Sequence, residues 1–300
     1  MVFVRPIQLM ISGAQRSGTT SLLHYLDQHP GICRSHVDNE IPYFIDDRLY
    51  EEDYEKIFKQ YFNSDCLESD VILAKSINIM YQPAAIRRLV RHNPDVQIII
   101  ILRNPVDRAY SGYWYARRRG LEREKTFEKA LDAWPRQYKT DKIRLQECAH
   151  LDRSLYVKHL KNLFTYFKKE QVHIYLFEDI LSNAVYVCQK IFSLFKELDP
   201  VFTPVVNHAY NKSKILPVFY TLALLTNSRQ AFPRLKKAGH LLLGEKLGRK
   251  IARIIRKKNI RRFDPPPMDK KLREHLLLYF KPHNDKLSDM IGRDLNHWNK

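Results

Sequence analysis

The sequence predicts an α/β fold built on a central, mainly parallel sheet, with a helical and strongly basic C-terminal region. Three observations lead there. From residue 7 to about residue 200, short apolar runs alternate with segments of helical periodicity, the pattern of strands joined by crossover helices. One run, Gln97-Ile98-Ile99-Ile100-Ile101-Leu102, holds four consecutive isoleucines, as in a strand buried on both faces of a parallel sheet. A turn of small residues from Gly13 to Gly18 follows the first run and precedes a helical pattern.

In chain order, residues 7–12 form the first strand, 13–18 the turn, and Leu22, Leu23 and Leu26 mark the helix after it. Residues 71–74 are the second strand, followed by Lys75 and a helix whose apolar face includes Ile86, Leu89 and Val90. Pro105, after the isoleucine strand, fits the first turn of a helix, where its missing N–H is not needed. A helix over 154–168, a strand over 172–177 and a helix over 185–195 complete the alternation. Residues 201–233 read as irregular, and 234–262 as an amphipathic basic helix with Leu241, Leu242, Ile251, Ile254 and Ile255 on its apolar side. Pro265, Pro266 and Pro267 end it, and two last helices over 268–280 and 283–292 carry Leu272, Leu276, Leu277, Phe280, Leu287 and Ile291. The expectation is one domain over 1–300, with 201–262 a basic, largely helical sub-region inside it, and no internal repeat.

A length of 300 residues with 44% hydrophobic and 12% aromatic residues excludes a miniprotein, a fibre and a disordered chain. No stretch approaches 18 uncharged apolar residues, and the apolar start is broken by Arg5 and Pro6. The expectation is therefore neither a membrane span nor a signal peptide, and a cytoplasmic protein. Cys33, Cys66, Cys148 and Cys188 stand far apart without a CxxC, so four free buried thiols in a reducing compartment are expected, with no metal site. The net charge of +18 is unevenly spread: 234–262 holds twelve Lys and Arg against Glu245, whereas 38–70 holds eleven acids against three bases. Such asymmetry suits phosphates, sulfates or an anionic lipid surface. The basic stretch lacks interleaved aromatics for base stacking, so nucleic acid is not expected. Its apolar stripe beside a Lys/Arg face suits peripheral contact with an anionic membrane.

The sharpest local signal is Ser12-Gly13-Ala14-Gln15-Arg16-Ser17-Gly18-Thr19-Thr20 between a strand and a helix. Backbone N–H groups of such a turn, backed by a helix N-terminus, cradle an anion. The loop resembles a Walker A sequence, yet Thr19 stands where that motif has its lysine, and the cation comes earlier as Arg16. The second signal is Leu102-Arg103-Asn104-Pro105 with Ser111 eight residues after Arg103. It sets a guanidinium at the carboxyl end of a strand, where open α/β sheets bind ligands, and a hydroxyl in the following helix.

Together the two segments resemble the 5′-phosphosulfate loop and 3′-phosphate motif of sulfotransferases that use 3′-phosphoadenosine 5′-phosphosulfate (PAPS). His29-Pro30 with Glu40-Ile41-Pro42-Tyr43-Phe44 and Lys75-Ser76 are similar to segments of the heparan sulfate N- and 3-O-sulfotransferases, as are Met268-Asp269, Tyr279-Phe280, His283-Asn284, Gly292-Arg293 and Trp298. The likeness runs in patches over 7–200 and 260–298. Departures are Arg16, where the glycan enzymes commonly have Lys, and the absence of any cysteine after Cys188, where they carry a disulfide. The sequence resembles a soluble, bacterial-type relative.

The resemblance implies PAPS as donor and adenosine 3′,5′-bisphosphate as product, with no metal. Gly13, Ala14, Gln15, Arg16, Ser17, Gly18, Thr19 and Thr20 are the expected 5′-phosphate ligands, and Arg103 and Ser111 the 3′-phosphate ligands. Arg261 and Arg262 are candidates for the family's basic loop over the nucleotide. Glu40 is the expected general base, with His36 its rival, and Arg16 and Lys75 the expected charge stabilisers. The acceptor is a hydroxyl or amine of a saccharide or another small metabolite. The competing readings are a P-loop kinase or NTPase, which the missing lysine after Gly18 opposes, and a membrane-surface protein acting through 234–262.

Overall fold

The computed structural model describes residues 4–35, 40–62, 66–68, 70–206, 215–217, 254, 260–262 and 264–300. The chain divides into two compact units, one of residues 1–104, 155–211 and 281–300, the other of 105–154 and 212–280.

The first unit holds a five-stranded sheet in the order β2-β3-β1-β4-β5, every pairing parallel. Its strands are β1 (Leu9–Gly13), β2 (Ile32–Arg34), β3 (Val71–Lys75), β4 (Gln97–Leu102) and β5 (Val172–Leu176). β1 and β3 are buried along their whole length, and β4 from Ile98 onward. Side chains two apart share a face, so each apolar run feeds two cores. Met10, Ile72, Ala74, Ile98 and Ile100 enter one, and Leu9, Ile11, Leu73, Ile99 and Ile101 the other. Helices α1 (Thr19–Leu26) and α9 (Phe177–Phe192) cover the second core with Leu22, Leu26, Val187 and Ile191. The first core takes residues of α3 (Tyr54–Tyr61), α4 (Pro83–His92) and α8 (Tyr156–Phe164), together with Leu287 and Trp298. Helix α2 (Asp47–Tyr50) is one turn, capped by Asp46 Oδ1 accepting from the N–H of Arg48 and Leu49.

In the second unit α5 (Pro105–Arg118) starts at its proline as expected, and α6 (Phe127–Ala133) and α7 (Lys142–Glu147) follow. β6 (Ile215–Pro217) and β7 (Ile260–Arg262) pair antiparallel. Helix α10 (Lys270–Ile291) has residues 270–280 in this unit and 281–291, including Pro282, in the first.

Several expectations are corrected. The two final helices are one: Pro282 removes a single helical hydrogen bond without ending the helix. Ile260–Arg262 is a strand and not the end of a basic helix, and Ile215–Pro217 interrupts the stretch read as irregular. The remainder of 234–262, with its expected membrane-facing helix, lies outside the described residues apart from residue 254. Helix α9 begins at Phe177, directly after β5, and breaks locally at Asn183. Cys33 and Cys66 form a disulfide, while Cys148 and Cys188 are free and buried. Pairing of Ser35 with Phe62 brings β2 beside the chain after α3, which sets the two cysteine Cα atoms 5.5 Å apart. Among the described residues no helix is long and apolar enough to cross a membrane.

Candidate active site

All five strands of the sheet run parallel, so their carboxyl ends share one edge, where open α/β sheets bind ligands. The loop after β1 turns sharply there, and its glycines are sterically required. A Cβ on Gly13 would sit 2.0 Å from Met80 Sδ. Gly18 has φ +87° and lies against the Phe177 ring, and Arg16 is also left-handed at φ 69°. The N–H groups of Ala14, Gln15 and Ser17 are held by the Ile101 carbonyl, the Tyr81 hydroxyl and the Ala14 carbonyl, which fixes the turn that leads into α1. Thr19 opens α1, adding the positive end of a helix dipole.

The polar groups around the loop fit an anionic ligand. Ser12 and Ser17, of the loop, and Ser76, just past β3, are fully buried, and their Oγ atoms have no hydrogen-bond partner. A buried hydroxyl left unpaired costs about 1–3 kcal/mol. Lys75, at the end of β3, is 6% exposed and donates from Nζ to Thr20 Oγ1 at 3.1 Å. The Lys75 carbonyl accepts the N–H of Ile41 at 3.0 Å, which brings the backbone beside Glu40 against the same strand end.

Arg103 ends β4 as the isoleucine run predicts. Its Nη1 donates to the Arg16 carbonyl at 3.3 Å, and its guanidinium lies 5.0 Å from the Phe177 ring centroid. Tyr156 Oη donates to the Arg103 carbonyl at 2.9 Å, holding the strand end in place.

The structure thus gathers residues 13–20, Lys75, Arg103 and the backbone next to Glu40 within the first unit. Ser111 is half-buried in α5 of the second unit, and Arg261 and Arg262 lie on β7 of that unit. His36 lies outside the described residues. Three residues escape sequence reasoning. Tyr81 Oη accepts the Gln15 N–H at 3.2 Å, Phe177 packs on Gly18 and under Arg103, and Tyr156 holds the Arg103 carbonyl. Only Phe177 leaves a trace in sequence, as the residue directly after a strand.

With this geometry in hand, comparison with known proteins is informative. The sulfotransferase domain profile matches residues 6–214. The bifunctional heparan sulfate N-deacetylase/N-sulfotransferase 3 of Homo sapiens is 26% identical over 306 residues, covering 97% of this chain and 31% of that protein. The bifunctional enzyme 4 of Mus musculus is 27% identical with the same coverage. The chain therefore spans about a third of the length of these curated relatives. A sulfotransferase from Alicyclobacillus acidocaldarius superposes with a TM-score of 0.65 over 99% of this chain and 100% of its own, at 23% identity, and shares the fold. The chain belongs to the sulfotransferase domain family.

Proposed function

We propose that the chain moves a sulfuryl group from PAPS to a hydroxyl or amine of a saccharide or other small acceptor. The observation that carries this reading is the 3.3 Å contact of Arg103 with the Arg16 carbonyl. It joins the anion-cradling loop to a strand-end guanidinium, the pairing that a nucleotide with phosphates at both 5′ and 3′ positions requires. The three unpaired buried hydroxyls suit the same ligand. A saccharide acceptor is supported by the named activity of the bifunctional heparan sulfate relatives.

When bound, PAPS supplies an activated sulfuryl group on a phosphate leaving group. Residues 13–20 would hold the 5′ end through backbone N–H groups and the Thr and Ser hydroxyls, and Arg103 the 3′-phosphate, with Ser111 a further candidate. Arg261 and Arg262 remain candidates for closing over the nucleotide. Glu40 accepts the acceptor proton as the acceptor oxygen or nitrogen bonds to sulfur and the sulfur–phosphate oxygen bond breaks in line. Arg16 and Lys75 would neutralise the charge that develops on the phosphate leaving group.

Thermal shift tests the donor assignment, because a ligand bound by the native state alone raises its melting temperature. Adenosine 3′,5′-bisphosphate is expected to stabilise the protein more than AMP or ATP does, and Arg103→Ala to erase most of the difference. Equal shifts for AMP and the bisphosphate in the unsubstituted protein overturn the reading.

A further inference from the structure

In the second unit, far in sequence from the loop after β1, three metal-ligating groups of different chemistry converge. The chain leaves α5 at Arg118, and the N–H groups of Leu121 and Glu122 both return to the Ala116 carbonyl. This turn carries the Glu122 side chain inward to 1% exposure. After α7, the His150 N–H donates to the Cys148 carbonyl at 2.8 Å, a tight turn that points two side chains of a Cys-x-His sequence the same way. Cys148 is 0% and His150 2% exposed. One ligand atom from each of Glu122, Cys148 and His150 lies within 4.8 Å of the other two. His150 Nε2 is 3.2 Å from Glu122 Oε2.

We propose that Glu122, Cys148 and His150 form a structural zinc site that ties the turn after α5 to the turn after α7. A thiolate, an imidazole and a carboxylate are donors that zinc takes in tetrahedral sites, three protein ligands leaving one position to a water. Arginines already hold the main chain that carries these ligands. Arg144 Nε donates to the Leu121 carbonyl at 3.0 Å, Arg108 Nη2 to the His150 carbonyl, and Arg117 Nη1 to the Glu122 carbonyl at 3.4 Å. That preorganisation is what an ion needs to meet three donors at once.

The choice of ion follows from charge. The occupied site, with a divalent ion, a carboxylate and a thiolate, is neutral. Arg108 and Arg153 stand beside it, so an ion that bonds oxygen alone gains Glu122 and is repelled by the guanidinium groups. An ion that bonds thiolate strongly gains all three ligands, which selects zinc over magnesium or calcium. On binding, the Cys148 thiol proton leaves to solvent, the imidazole proton resides on Nδ1, and Nε2 bonds the metal. One proton is released per ion.

The test uses the untagged full chain. Zinc content by mass spectrometry is expected near one ion per chain. Replacement by cobalt(II) is expected to give a thiolate charge-transfer band that disappears in Cys148→Ser and survives in Cys188→Ser. Zinc binding by the unsubstituted chain, read by competition with a chromophoric chelator, is a measurement that needs no variant to fold. Zinc below a tenth of an equivalent after titration, or a band that persists in Cys148→Ser, overturns the proposal. None of these readouts depends on the donor nucleotide, so the result stands apart from the proposed sulfuryl transfer.

Discussion

The loop after β1 and the buried cluster after α5 gather polar groups in opposite ways. Around the loop stand N–H groups, hydroxyls, Lys75 and Arg103, all able to donate, and Ser12, Ser17 and Ser76 keep hydroxyls without partners. After α5 the side chains that converge are Glu122, Cys148 and His150, all able to give an electron pair, and arginines hold the surrounding carbonyls. The comparison teaches that the sign of a site can be read from its donors and acceptors before any ligand is seen. Gathered donors suit an anion, and gathered electron-pair groups suit a cation.

The comparison breaks if substitutions in the two regions have interchangeable effects. The largest expected effect is on rate. Glu40→Gln should lower turnover by about 10²- to 10⁴-fold while the thermal shift with adenosine 3′,5′-bisphosphate stays near that of the unsubstituted protein. Steady-state kinetics beside thermal shift measure both, and His36→Ala is the control. If the histidine variant is inactive and Glu40→Gln is not, the base assignment fails.

In the other region the expected effect is on stability alone. Arg108 is fully buried, with Nε on Ser154 Oγ at 2.5 Å and Nη2 on the His150 carbonyl. Arg108→Leu strands those acceptors, and loss of one partner in a buried charged network costs about 3–5 kcal/mol. Urea unfolding should show that loss, with the preference for the bisphosphate over AMP unchanged. A lost preference at unchanged stability would move Arg108 into the anion site.

The disulfide sharpens the comparison from the side of the chain that carries Glu40. Cys33 and Cys66 close a segment with a sequence separation of 33, and the chain-entropy estimate for a loop of that length is about 3–4 kcal/mol. Cys33→Ser should lower unfolding free energy by about that amount, and alkylation without reductant should label two cysteines at most in the unfolded unsubstituted protein. Four labels there would show the pair unjoined.

The smallest effect is a shared response to acid. Burial lowers His92 to about 4, and its Nε2 accepts the Ile7 N–H at 2.9 Å. His150 is likewise held below the usual range by burial. Between about pH 6.5 and the folded-state values the unfolded chain binds more protons, so stability falls as pH falls through that window. Each imidazole contributes a slope of up to about 1.4 kcal/mol per pH unit. His92→Phe should flatten the profile of unfolding free energy between pH 6.5 and 4. An unchanged slope removes His92 from the account.

Much of the first unit is legible in sequence because its strands are buried on both faces. The isoleucines of β4 and the apolar run of β1 have no polar alternation to mislead, and a glycine loop followed by helical leucines admits few readings. β2 escapes notice because three residues are too few to show a period, and its strand character comes from pairing with β3. α2 and α3 sit in an acidic stretch whose charge draws attention from their Asp46 and Asp53 caps. Pro282 reads as a break because a sequence shows the missing N–H but not the packing that keeps the helix whole.

By itself the sequence determined the α/β class, the glycine loop after the first strand, the strand-end arginine and the family to which they belong, because each depends on residues close together in the chain. Tertiary structure alone decided which distant residues meet. The Cys33–Cys66 bond, the Tyr81 hydroxyl on Gln15, the Phe177 ring under Arg103 and the convergence of Glu122 with Cys148 and His150 join segments separated by up to 74 residues. Spacing along the chain carries no record of such contacts, since they are set by how the helices pack and by where the turns between elements return the chain.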